Sequence, residues 1–191
     1  MLDHLQDDEH GDGAGLGQDD LTTSNFIQLL RAEKFKNHTP EFNKVFRDIE
    51  TLCFSYPLII LNKTKIVQKL LSYMDSEELR SVQPIIFDLC IALIKDLRHE
   101  VYLEFFNEML PAAIKVLDAD NLETMDKIFQ LLSFAFKFLI KPIRENIKAV
   151  FSVFIVLLEH KNRFVRKFSA QSFSYVLRKI DIDQTFANFL L

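Results

Sequence analysis

Residues 162–180, NRFVRKFSAQSFSYVLRKI, interleave five cations with four aromatics and contain no acid. Lys and Arg clustered without intervening carboxylates suit a phosphate backbone or another anionic surface. Arg163, Arg166, Lys167, Arg178 and Lys179 are therefore the candidates for contact with RNA or an acidic partner. On a helix turning about 100° per residue, Arg163, Lys167, Ser174 and Arg178 share one face. Phe164, Phe168 and Tyr175 point the other way, beside Val165, Ser169, Ser172 and Val176, with Phe173 and Ile180 extending the arc. An apolar arc this wide predicts a deeply packed helix with a narrow cationic face. Ser169, Ala170 and Ser172 are small enough to let a neighbouring helix approach closely. Two readings stay open: a solvated face of a packed helix, or an anion-contacting edge. A second stripe, Lys137, Lys141, Arg144 and Lys148, follows helical spacing, but Pro142 is expected to break it.

Other chemistry finds little support. All four glycines, Gly11, Gly13, Gly15 and Gly17, lie near the start, so nothing beyond them forms a glycine-rich phosphate loop. His4, His10, His38, His99 and His160 are scattered, and Cys53 and Cys90 have no neighbouring His or Cys, so a zinc site is not expected. Nothing favours a Ser-His-Asp arrangement. The expectation is a non-catalytic chain with no cofactor, no metal and no small-molecule substrate. Two isolated thiols without a disulfide framework fit a reducing compartment.

Charge is divided unevenly. The net charge is −4, yet Asp3, Asp7, Asp8, Glu9, Asp12, Asp19 and Asp20 precede the first cation, Arg31. The remainder is mildly basic. Residues 1–21 read as a disordered acidic tail, solubilising or able to dock a basic partner, and not as a signal or transit peptide. The longest apolar run, Ala149 to Leu158, is too short to cross a bilayer, so no membrane role is supported.

The elements that must position the cations read as helices throughout. Phe42, Val45, Phe46, Ile49, Leu52 and Cys53 recur at helical spacing. So do Ile86 to Leu97, Met125 to Phe136 and Ile147 to Leu158. Helix-start signals at Thr39-Pro40, Asp75 with Glu78, Asp120 with Glu123, and Asn162 recur about every forty residues. Breaks are expected near Tyr56-Pro57, Arg98-His99-Glu100 and Lys141-Pro142, and residues 57–63 look extended or linking. Pro84 and Pro111 should kink or delay helices. The pattern predicts an all-α, HEAT/armadillo-like α-solenoid over 22–191. Its four hairpins span about 39–74, 75–118, 120–160 and 162–191. The closing FANFLL lacks a polar cap, which points to a continuing chain or a partner surface. Nineteen phenylalanines, dense in FQLLSFAFKFLIKPI, fill a core or line a groove for partner helices.

The stretch RFVRKFSAQSFSYVLRKI resembles a pattern of the U-three-snoRNA-associated protein twenty family, also called the down-regulated-in-metastasis family. These are giant HEAT-repeat proteins of the small-subunit processome. Arg163, Arg166, Phe168, Ala170, Ser172, Phe173, Leu177, Arg178 and Lys179 match; Ser169 and Gln171 depart from it. LETMDKIFQLLSFAFKFLIKPI and PIIFDLCIALIKDLRHEVYLEFFNEMLPAAIKVL are similar to the two preceding repeats. Family members run to thousands of residues, so the chain would be a piece of one. The resemblance implies a nucleolar scaffold in ribosome biogenesis, acting in pre-rRNA processing and 18S rRNA maturation. Its partners would be pre-ribosomal particle proteins and the pre-rRNA or snoRNA backbone. The runner-up reading is a HEAT-repeat adaptor of another system, nuclear transport or a phosphatase scaffold, binding proteins only.

Overall fold

The computed structural model describes residues 24–37, 39–74, 76–117 and 121–179. The acidic residues 1–21, the candidate caps Asp75 and Asp120, Ile180 and the closing FANFLL lie outside the described residues. The described residues are helical, with no strand among them. In order they form α1 (Asn25–Lys36), α2 (Pro40–Glu50), α3 (Tyr56–Met74), α4 (Gln83–Leu97), α5 (Tyr102–Glu104), α6 (Leu110–Lys115), α7 (Leu122–Phe138), α8 (Ile140–Glu145), α9 (Ile147–Leu158) and α10 (Arg163–Arg178). Short 3-10 helices, Glu77–Val82 and Arg98–Val101, lead into α4 and α5, and a π-helical turn, Phe105–Met109, joins α5 to α6.

Local chemistry explains most of the boundaries. Thr39 Oγ1 accepts from Phe42 N at 3.3 Å and Pro40 takes the first position of α2, where its missing N–H costs nothing. Asn162 Oδ1 accepts from Phe164 N at 2.8 Å at the start of α10. The cap of α7 is Asn121, whose Oδ1 accepts from Thr124 N at 3.0 Å, rather than Asp120. Proline is tolerated only in a first turn, and Pro84 sits in that of α4: the chain passes through the 3-10 helix Glu77–Val82 and starts α4 at Gln83. Pro111 is absorbed differently. The π turn lets Leu110 N–H reach back to Phe105 O just before the proline.

Residues 57–63, expected to be extended, are helical. Pro57 sits in the first turn of α3, where proline is permitted, and Ile59 is fully buried with Ile66 and Leu70 on the same helix. Asn62 Nδ2 donates to Leu52 O at 3.1 Å and closes the α2–α3 turn. Near Pro142 the chain breaks at Leu139 and again at Asn146, with Pro142 in the first turn of α8. The second cationic stripe is thus spread over three helices: Lys137 on α7, Lys141 and Arg144 on α8, and Lys148 on α9. At Arg98 the chain turns with φ 49°, a conformation that favours glycine, in a sequence with no glycine after Gly17.

Side-chain contacts set the register between helices. Lys127 on α7 pairs with Asp88 on α4 at 2.7 Å, 39 residues earlier. Lys95 Nζ lies 4.1 Å from the Phe134 ring centroid, and Phe129 on α7 stacks on Phe168 of α10 at 4.1 Å and 11°. Asn162 Nδ2 reaches Met125 Sδ across 37 residues. Helices α4, α7 and α10 therefore run parallel in one layer. In the other layer Thr64 Oγ1 on α3 donates to Glu104 Oε1 on α5 at 2.9 Å, 40 residues on, with Lys63 beside the same carboxylate at 3.8 Å. Helix α1 breaks this order: its N-terminus meets the C-terminal end of α4, so it runs against it. Phe26, Phe42, Phe87, Phe105 and Phe154 are fully buried between the helices, and Phe129, Phe136, Phe168 and Phe173 are buried as well, so nine of the nineteen phenylalanines are core.

Cys53 and Cys90 are free and buried. Burial pushes the Cys90 thiol from 9.0 up to about 12. Burial, with a contribution from the charge of Glu50 and against Arg31, pushes Cys53 up to about 11. An unfolded chain ionises these thiols near pH 9 while the folded chain keeps them protonated. Their contribution to stability is therefore full below pH 9 and is lost as pH rises through the folded values. A disulfide-exchange reagent at about pH 8 should label Cys90 only on unfolding; labelling of the native chain at the rate of a free cysteine would refute its burial.

Candidate functional site

Helix α10 places the cations. It buries Val165, Phe168, Ser169, Ser172, Phe173 and Val176, with Phe173 against Phe151 and Phe154 of α9 at 5.1 and 5.9 Å. Ser169 and Ser172 are buried, whereas Ala170 is exposed. Arg163, Arg166, Lys167, Arg178 and Lys179 are all exposed, but they do not act as one unit. Arg166 Nη1 donates to His160 O at 2.7 Å and Lys161 O at 2.9 Å, so its guanidinium ties down the α9–α10 turn. Arg178 Nε donates to Ser174 O at 3.3 Å, and Lys179 Nζ lies 5.8 Å from the Tyr175 ring centroid. Arg163 and Lys167 stand one turn apart at the other end. At 1.5 Å per residue, about 22 Å separates Arg163 from Arg178, a span of several nucleotides rather than one phosphate.

The first turn of α10 carries no acid and holds Arg163 and Arg166 at the positive end of the helix dipole. Cations there oppose the dipole; Arg166 has a structural duty in the α9–α10 turn, but the dipole gives no reason for Arg163. Dipole and side chains together make this end attractive to anions.

One aromatic departs from the sequence expectation. Phe164 was placed with the packed arc, yet it is 61% exposed, as Leu122 on α7 is at 67%. Helix α10 packs mainly on α9 and meets α7 more lightly, and the first turns of α7 and α10 leave an open groove between them. The groove holds about 490 Å³. The Phe129–Phe168 stack and Met125 form its floor, Leu122 and Phe164 its walls, and Lys167 stands at its edge opposite Asp126. Helical periodicity marks a residue as apolar-facing but not whether a neighbour reaches it, so a groove was one of two readings for the phenylalanine-dense stretch that starts at Phe129, but its place between the first turns of α7 and α10 was not readable.

Among the described residues, no three of His, Cys, Asp and Glu gather to hold a metal ion, and no helix is long and apolar enough to cross a membrane.

No family model matches the chain. Over 168 residues, 86% of its length, it is 26% identical to U3 small nucleolar RNA-associated protein 20 of Saccharomyces cerevisiae. Over 168 residues, 87% of its length, it is 22% identical to the protein of the same name in Schizosaccharomyces pombe. The match covers 7% of each relative, so the chain spans a small part of their length. Most of this chain is therefore similar to one segment of U3 small nucleolar RNA-associated protein 20, the protein whose family the residue pattern of α10 resembles.

Proposed function

We propose that this chain is a non-catalytic scaffold segment in ribosome biogenesis, part of the small-subunit processome and acting with it in pre-rRNA processing in the nucleolus. The observation that carries this reading is the similarity to U3 small nucleolar RNA-associated protein 20 along nearly the whole chain. The register supports the scaffold half: parallel helices meeting partners 37 to 40 residues away are what a HEAT-like solenoid requires, since each hairpin buries its apolar face only against the next. The hairpins at 39–74, 75–118, 120–160 and 162–191 are the proposed repeats. Arg163, Lys167 and Arg178 are the proposed contacts to an RNA backbone, with Arg166 and Lys179 supporting them from the two ends of the helix.

Depleting the protein in its own cells tests this role. Precursors of 18S rRNA should accumulate while large-subunit rRNA is made at its usual rate. Unchanged precursors would overturn the reading.

A further inference from the structure

We propose that the groove between α7 and α10 receives this chain's own acidic leading segment, with Leu2 or Leu5 seated on the Phe129–Phe168 floor and Asp7, Asp8 and Glu9 against Arg163 and Lys167. The groove is apolar, opens to solvent and exposes two large side chains, Leu122 and Phe164. Its volume, about 490 Å³, lies in the usual range for a recognition pocket. Its α10 edge carries one lining cation, Lys167, with Arg163 one turn before it outside the lining, and no acid anywhere in residues 162–180. On the α7 edge, the Asp126 carboxylate accepts from Gln130 Nε2 at 2.7 Å and Glu123 is exposed, so an acidic occupant must lie along the α10 side. The leading segment has the matching chemistry: seven acids, no Lys or Arg, and leucines at 2 and 5 just ahead of Asp7, Asp8 and Glu9.

Reach permits the docking. Ser24 is held at Asp96, near the C-terminal end of α4. Lys95 lies against Phe134, so that anchor is level with the C-terminal half of α7, while the groove lies at the N-terminal half. About 17 Å along α7 and about 10 Å per helix crossed separate them. The roughly 19 residues from Leu5 to Ser24 span up to about 60 Å when extended. Because the segment is tethered, its effective concentration at the groove is of millimolar order, enough to make a weak contact count. Docked there, it competes with phosphate for Lys167.

Carbodiimide cross-linking of the full chain, which joins carboxylates to nearby lysines, tests this directly. Cross-links from Asp7, Asp8 or Glu9 should concentrate on Lys167 and fall several-fold in about 1 M salt, where the Debye length shrinks to ~3 Å. They should fall likewise in the double variant Leu2→Ser/Leu5→Ser and in Phe164→Ser, whose side chain is largely exposed. Links spread equally over other exposed lysines such as Lys44, Lys65 and Lys69, or links indifferent to the variants, would overturn the docking. A short poly(U) RNA gives the second readout. It should protect Lys167 from acetylation better in Leu2→Ser/Leu5→Ser than in the natural sequence. Equal protection in both would assign the edge to RNA alone, removing this docking and leaving the RNA-contact reading intact.

Discussion

Replacing Asp96 with Ala should lower the unfolding free energy by about 2–4 kcal/mol, because one carboxylate holds the whole N-terminus of α1. Its Oδ2 accepts from Ser24 Oγ at 2.6 Å and Phe26 N at 2.9 Å, and its Oδ1 accepts from Asn25 Nδ2 at 2.7 Å and Asn25 N at 3.0 Å. Ser24 Oγ in turn accepts from Ile27 N at 3.1 Å, so the first-turn donors of α1 are satisfied from within the helix and from across the fold. A negative charge at this end also complements the dipole. Without it, α1 keeps its buried Phe26 and Leu30, the half-buried Ile27 and Leu29, and the bond from Lys34 to Asn43 of α2. Asp96→Asn retains one acceptor oxygen and should fall between the two. Urea unfolding measures the loss, and limited proteolysis should open first within residues 24–37. A loss below about 0.5 kcal/mol, the range of an ordinary surface substitution, would show that α1 is held by packing alone.

The triple variant Arg163→Glu/Lys167→Glu/Arg178→Glu should weaken binding to single-stranded RNA by about two orders of magnitude at low salt. Each phosphate contact contributes about 0.7 to the slope of log affinity against log salt for single strands, so the slope should fall by about 2. All three side chains are exposed, and among the described residues none is seen to bond to another helix, so helicity and the unfolding midpoint should be unchanged. Fluorescence anisotropy across a salt series reads both quantities. A matched reversal of the exposed Lys137 and Lys141, which lie on two different helices, should have a smaller effect. If the triple variant binds RNA as the natural chain does, the cationic face of α10 is only a solvated surface.

The sequence carried the helices well because their apolar spacing is regular and their starts are chemically marked: Thr39-Pro40 and Asn162 both cap as their residue types require. It carried boundaries less well where proline has two meanings. The break expected near Tyr56-Pro57 falls just before them, but Pro57 opens the next helix rather than an extended stretch, and Pro84 defers a helix that a capping pattern would start earlier. The α1–Asp96 clamp was illegible, since partners 70 or more residues apart leave no local pattern. The place of the groove was illegible for the opposite reason. Phe164 follows the core periodicity, and only the light contact between α7 and α10 leaves it uncovered. The five cations could be named in advance, but their separate duties could not. Arg166 is spent on the His160 and Lys161 carbonyls, a role decided by the turn rather than by spacing.

The central claim, membership in a U3-associated assembly, is tested most directly by capturing the protein from its own cells and measuring U3 small nucleolar RNA in the captured material against an unrelated small nuclear RNA. Strong enrichment of U3 RNA together with small-subunit rRNA precursors is expected. Recovery of the protein with both RNAs at background level would contradict it.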